Sequence, residues 1–234
     1  MLKKLILTSI AMGFIGAAAS AATLSGNFNV TAINVTNLDR QQSKAIAANF
    51  SAALAGGFGG ANSVTTMDTF SYSGDFDFRV EGPQRLLPYT VGNWLATGTG
   101  TSTILDDAAG QALAGKQLSF PDVNKGTAIT TFFLFTSVDA FKAADFSVTH
   151  DDGIALLDDG VIIADFKGPN SVRTSQLDGF NGGTLGFLYV ATNGNPSILE
   201  IDMSPTPVPL PAGGLLMLTG FAAFAAARRR KKAA

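Results

Sequence analysis

The sequence has no cysteine and a single histidine, His150, among its 234 residues. The first absence removes disulfides, cysteine nucleophiles and thiolate metal sites. The second removes a multi-histidine zinc site within one chain. A Ser-His-Asp triad would have to use His150, and no Gly-x-Ser-x-Gly elbow occurs. Aspartates for a glycosidase-type carboxylate pair are present, but the adjacent ones sit where turn chemistry already explains them. These absences point to a binding or structural protein and away from an enzyme. Tryptophan is also scarce, with Trp94 alone, whereas phenylalanine is abundant at 18 residues. Core filling accounts for that abundance, and Trp94 is read as a core residue before a sugar-stacking one.

Cations are scarce except at the two ends. Met1-Leu2-Lys3-Lys4 is a short basic start, an apolar run follows, and Ala17-Ala18-Ala19-Ser20-Ala21-Ala22 ends it in small residues. This is the pattern of a secretory signal peptide over residues 1–21, cut after Ala19 or Ala21. At the other end a proline-rich linker over 204–209 leads into an apolar stretch from Leu210. Arg228-Arg229-Arg230-Lys231-Lys232 closes it. About 18 apolar residues suffice for a short transmembrane helix, and the basic cluster would hold its end in the cytoplasm.

Val208-Pro209-Leu210-Pro211-Ala212, the apolar helix and the arginine cluster together resemble the VPLPA variant of the PEP-CTERM sorting signal of Gram-negative bacteria. The resemblance covers the last 27 or so residues. It implies an exosortase-type transpeptidase as partner, transient anchoring in the membrane through the C-terminal helix at 210–232, and delivery to the cell surface or an extracellular matrix.

Between the signals, residues 22–203 are enough for one domain with a substantial core. Without the terminal cations, Lys and Arg fall from 16 to 9 against 18 acidic residues, a net charge of about −9. Such a balance argues against nucleic acid and is compatible with calcium.

Alternation at Phe28, Val30 and Val35 reads as a strand over 27–35. Thr36-Asn37-Leu38-Asp39 has capping-box form, so 38–54 reads as one long helix ended by Gly56 and Gly57. Strand signals then dominate: Phe70 with Tyr72, Phe76 to Val80, the apolar run 129–135, and 146–149, 154–157, 161–166, 185–191 and 198–201. Residues 81–93 read as irregular and 104–113 as a short amphipathic helix. Short strands between Gly/Asn/Asp turns predict a mainly β fold, an antiparallel β-sandwich with one N-terminal helix packed on it.

The most informative stretch is His150-Asp151-Asp152-Gly153-Ile154-Ala155-Leu156-Leu157-Asp158-Asp159-Gly160. It reads as strand, Asp-Asp-Gly turn, strand, and Asp-Gly turn. Asp158 and Asp159 read as turn formers, since Asp-Gly suits the positive-φ positions of a tight hairpin. Asp151 and Asp152 are open to two roles. Adjacent carboxylates repel unless a cation or donors compensate them, so they are either calcium ligands or turn residues. His150 reads as a solvated loop histidine.

The pattern Asp-Asp-Gly-x-x-Leu-x-x-Asp-Gly resembles the core hairpin of the lectin-like, jelly-roll-type β-sandwich named after anthrax protective antigen, found also in yeast flocculins and within some glycosidases. The likeness covers about residues 140–203, including the closing Thr192-Asn193-Gly194 turn. In the sugar-binding branch the paired aspartates hold calcium through a cis peptide, an asparagine of the closing loop assists, and the ion takes two sugar hydroxyls. The resemblance therefore implies Asp151, Asp152 and Asn193 as metal- and ligand-binding residues, calcium as the cofactor, and a surface glycan or exopolysaccharide as partner. The alternative is a structural matrix protein with no specific small ligand.

Overall fold

The computed structural model describes residues 20–58, 63–81, 89–121 and 123–206. The expected signal peptide, the Val208-to-Ala212 motif and the C-terminal helix with its basic cluster fall outside them, apart from the last residues of the signal. Among the described residues no helix is long and apolar enough to cross a membrane.

The strand signals become twelve described strands: β1 (Ala22–Thr23), β2 (Ser25–Leu38), β3 (Thr65–Asp75), β4 (Asp77–Val80), β5 (Thr101–Ser102), β6 (Ala128–Ser137), β7 (Phe141–His150), β8 (Gly153–Asp158), β9 (Val161–Phe166), β10 (Arg173–Gly183), β11 (Leu185–Ala191) and β12 (Ser197–Pro205). Three short helices interrupt them: α1 (Ala47–Leu54), α2 (Val91–Leu95) and α3 (Ala108–Ala114). All pairings are antiparallel. One sheet runs β1-β12-β7-β10 with β4 also on β12, and the other runs β5-β3-β2-β6-β11-β8-β9. β12 reaches Pro205, so the first two residues of the expected linker pair with Asp145 and Ala144.

The two sheets share one core. Phe28 and Val30 of β2, Phe133 and Phe135 of β6 and Phe187 and Tyr189 of β11 face Phe78, Phe146, Val148, Leu199 and Ile201 of the other sheet. Trp94 of α2 lies at the middle of this aromatic mass, stacked on Phe78 at 4.6 Å and Tyr189 at 5.5 Å, and its indole Nε1 donates to the Ser197 carbonyl oxygen at 3.2 Å. The alternate residues Val35, Phe132, Ala155, Leu188 and Val190 form a second cluster on the outer face of the seven-stranded sheet, closed by Ala53 and Phe50 of α1. The run 129–135 is apolar on both faces because both faces of its strand are covered.

The long helix expected over 38–54 is not formed. β2 continues through Leu38, and helix begins only at Ala47. The capping box is real but sits three residues later: Asp39 Oδ1 accepts from the Gln42 amide at 2.9 Å, while Gln42 Oε1 accepts from the Asp39 amide at 3.0 Å. That turn does not propagate, because the Ala45 amide donates across to the Lys167 carbonyl instead. The segment read as irregular, 81–93, holds the start of α2, which runs on to Leu95 and is capped by Thr90, whose hydroxyl accepts from the Asn93 amide. α3 is capped by Asp107 through the Gly110 amide at 2.7 Å. β10 carried no strand signal, since Gly179, Asn181, Gly182 and Gly183 give it a turn-like composition. Its buried Leu177 and Phe180 hold it to the core across a register shift.

Phe135 touches the rings of Tyr72, Phe76, Phe78 and Phe133. We expect Phe135→Ala to lower unfolding free energy by about 3–5 kcal/mol in urea titration. A loss under about 1 kcal/mol would mean the sheets do not share this core.

Candidate functional site

Three connections that cross from one sheet to the other meet at one end of the sandwich. β7 passes to β8 through Asp151 and Asp152, β9 passes to β10 through residues 167–172, and β11 passes to β12 through residues 192–196. The Asp-Asp-Gly turn is therefore a corner between sheets, since β7 and β8 do not pair. The hairpin forms where the Asp-Gly signal predicts it: Asp159 (φ 47°) and Gly160 (φ 82°) take the two positive-φ positions between β8 and β9.

The corner is made by Asp152, itself at φ 67°. The two cis peptide bonds among the described residues precede Pro169 and Pro196, so the Asp151–Asp152 bond is not cis as the family likeness implied. The positive φ of Asp152 reverses the chain there instead. Gly153 follows because a Cβ would come within 2.6 Å of the Lys167 carbonyl oxygen and 2.8 Å of the Ala45 Cβ.

Asp152 is fully buried and joins all three connections. Its Oδ2 accepts from the Thr192 amide at 2.7 Å and its Oδ1 from Asn193 Nδ2 at 3.3 Å. Its carbonyl accepts from Asn170 Nδ2 at 2.9 Å and from His150 Nδ1 at 2.8 Å. His150 is thus a buried residue at the end of β7, not a solvated loop histidine. With Nδ1 donating, its Nε2 accepts from the Ser175 hydroxyl at 2.9 Å. Burial lowers its pKa below 6.5, which suits that neutral tautomer.

Asp151 faces a cavity of about 570 Å³. Its wall comprises Asn193, Asn170, Ser171, Asn124 and Arg40, together with Pro121, Val123, Pro169, Val172 and Pro196. The size falls in the range of small-ligand pockets. Of the three residues singled out from the sequence, Asp151 and Asn193 line this cavity and Asp152 stands behind them, bonded to Asn193. Asn170, Asn124 and Arg40 carried no signal: they lie in turn-rich loops far apart in the sequence, and only the crossing topology brings them together. The Oδ1 of Asn170 is buried without a hydrogen-bond partner. Trp94 is in the core and does not line the cavity.

The electrostatics are unfavourable as they stand. Neither Asp151 nor Asp152 has an ion pair among the described residues. Burial pushes the Asp151 carboxyl up to about 7. Burial first, and the Asp151 charge second, push Asp152 well above the usual carboxylate range. Burial and the same two carboxylates raise the phenol of Tyr189.

No protein-family description matches the chain, and no curated protein matches it. Solved structures do. A PA14 sugar-binding domain from an RTX adhesin aligns at 15% identity over 77% of this chain and 90% of that chain, with a TM-score of 0.42. The PA14 domain of the antifreeze protein MpAFP aligns at 12% identity over 82% and 90%, with a TM-score of 0.43. A GH31 alpha-xylosidase from Xanthomonas citri aligns at 11% identity over 83% of this chain and 16% of that chain, with a TM-score of 0.32.

The buried pair fixes a pH dependence. A carboxyl whose folded pKa is raised binds a proton that the unfolded chain has released. Its stabilising contribution is complete below the unfolded value of 3.8 and is lost as pH rises through about 7. His150 acts with the opposite sign, but only below its ordinary 6.5. Between pH 6.5 and 8 the carboxylates act without it. We expect the melting temperature in chelator to fall across that interval and Asp151→Asn to flatten the fall. An unchanged slope in the variant would assign the effect to other groups.

Proposed function

We propose that the unit Ala19–Pro205 is a calcium-dependent carbohydrate-binding module of an exported surface or matrix protein. The observation that carries this is the pair of buried carboxylates, Asp151 and Asp152, without a cationic partner among the described residues, beside a cavity walled by amide oxygens. Two adjacent buried charges need compensation from a cation or from protons. The donors at hand are hard oxygens, the class calcium takes. Among the described residues no group of three or more His, Cys, Asp or Glu is placed to hold a metal, so oxygens beyond the two carboxylates are needed. The residues fit an open site: carboxylate oxygens from Asp151 and Asp152, amide oxygens from Asn193 and Asn170, and remaining positions left to ligand hydroxyls or water.

Asp151 would contribute directly from the cavity wall. Asp152 would position Asn193 through their shared hydrogen bond while fixing the corner. A calcium ion bound there supplies a Lewis-acidic centre that sugar hydroxyl pairs coordinate. The proline and valine walls offer apolar surface to the sugar's C–H faces. No step of bond breaking is part of this reading; the module binds and does not catalyse. The terminal segments give the address: export by residues 1–21, then recognition of the Val208-Pro209-Leu210-Pro211-Ala212 motif by an exosortase-type transpeptidase after anchoring by the helix that Arg228 to Lys232 hold at the cytoplasmic face.

Calorimetric titration of the Ala19–Pro205 unit with calcium tests the reading. We expect one saturable site with a dissociation constant of about 10⁻⁴–10⁻³ M, in the range of extracellular modules, a higher melting temperature in millimolar calcium, and loss of both in Asp152→Asn. Absence of heat and of stabilisation would leave Asp151 and Asp152 as corner residues and favour a structural matrix protein without a small ligand.

A further inference from the structure

We propose that the cavity selects glycans bearing a carboxylate, of the uronic acid class, and that Arg40 is the residue that pairs with it. The proposal rests on the carbohydrate-binding reading above and names the class of sugar. Arg40 stands in the same wall as Asp151, Asn170 and Asn193 and is the one cation among the described lining residues. It is exposed and makes no ion pair with a described carboxylate.

Its backbone is fixed. Arg40 lies inside the turn that Asp39 closes through the Gln41 and Gln42 amides at 2.8 and 2.9 Å, and the Ser43 amide returns to the Asp39 carbonyl at 3.0 Å. The Ala45–Lys167 hydrogen bond then ties this turn to the crossing loop that carries Asn170. The guanidinium therefore starts from a set position on the cavity rim.

Charge balance asks for an anion. In the carbohydrate-binding reading the two carboxylates are matched by a calcium ion, and Arg40, without an ion pair to a described carboxylate, keeps its charge in a wall that a sugar would cover. A ligand carboxylate closes the balance, and the planar guanidinium fork fits it bidentately. The unit as a whole, at a net charge of about −9, repels anionic polymers, so acceptance of an acidic sugar depends on this local cation. Among the described residues no aromatic side chain lines the cavity, so ring stacking, which is tolerant of sugar identity, plays no part in the proposal.

The test compares methyl β-D-glucuronide with methyl β-D-glucoside, which differ at the C6 carboxylate, by ligand-observed NMR and calorimetry on the Ala19–Pro205 unit in calcium. We expect the glucuronide to bind about tenfold tighter, in keeping with a charge-assisted pair at an exposed rim, with the preference shrinking as salt rises. Arg40→Gln should erase the preference by lowering the glucuronide affinity about tenfold, to that of the glucoside, with the melting temperature unchanged. Arg40→Lys should restore part of it. Equal affinities, or a preference that survives Arg40→Gln, overturn the proposal and leave the carbohydrate module standing. Acid-selective binding that persists in chelator and disappears in Arg40→Gln upholds the Arg40 subsite and removes calcium. No binding of either sugar and no calcium heat overturn both readings.

Discussion

A carboxylate buried at a sheet-to-sheet corner is the constraint on which the functional end of this protein depends. Asp152 has no exposure, and its two oxygens and its carbonyl accept from Thr192, Asn193, Asn170 and His150. Those four residues belong to two other crossings and the end of β7, so Asp152, on the crossing from β7 to β8, joins all three. Remove the carboxylate and the Thr192 amide loses its acceptor in a dry environment, where an unpaired polar group is costly. The side chain therefore has a structural task whether or not a metal binds. The same task explains why its charge is tolerated: the chain needs an acceptor at that point more than it needs to avoid desolvation. Asp151 has no comparable duty. Its backbone is held by the Ile198 carbonyl at 3.1 Å, and its carboxyl faces the cavity. The two neighbours thus differ in surroundings, one organising the corner and one facing the cavity.

The rigidity behind that corner comes from a sheet covered on both faces. β6, β8 and β11 are buried on the sandwich side by the aromatic cluster and on the outer side by α1 and the residues around it. β11 delivers Thr192 and Asn193, and β8 begins at Gly153, so the Thr192 amide and the Asn193 side chain that donate to Asp152 follow a strand with little freedom to move. A buried hydroxyl chain, Ser43 to Thr130 to Thr192 at 3.0 Å each, continues the fixation toward the loop that carries Arg40. Loops at the end of a β-sandwich usually vary in position; here each is sewn to its neighbour by hydrogen bonds whose partners are themselves in the core.

Much of this was legible in the sequence, and the failures have physical causes. Period-two alternation and apolar runs located the strands of the core, and the Asp-Gly hairpin between β8 and β9 took the positive φ values its residues favour. Local signals could not say that Asp-Asp-Gly is a corner, because a turn between paired strands and a turn between sheets use the same residues; only the partners of β7 and β8 differ. The long helix failed for a related reason. Its cap signal was genuine, yet the Lys167 carbonyl competed for the Ala45 amide and won. His150 was misplaced because the strand was read as ending at Thr149, although His150 continues the alternation of Phe146 and Val148 by one step. Asp151 and Asn193 were found because adjacent aspartates and an Asn-Gly turn are conspicuous. Asn170 and Arg40 were not, because their relevance comes from topology and not from composition.

The cavity's composition bears on what kind of recognition it can perform. Binding sites that rely on aromatic platforms gain affinity from area and tolerate changes in hydroxyl pattern. This cavity offers prolines and valines for contact, and carboxylate, amide and guanidinium groups for direction. Polar groups in such a wall discriminate by penalty: a ligand lacking the matching group leaves a buried donor or acceptor unpaired, which costs more than the matched bond gains. Under the proposed reading, a site built this way would be weak for a single sugar and selective among sugars, and repeated engagement of a polymer would supply the avidity.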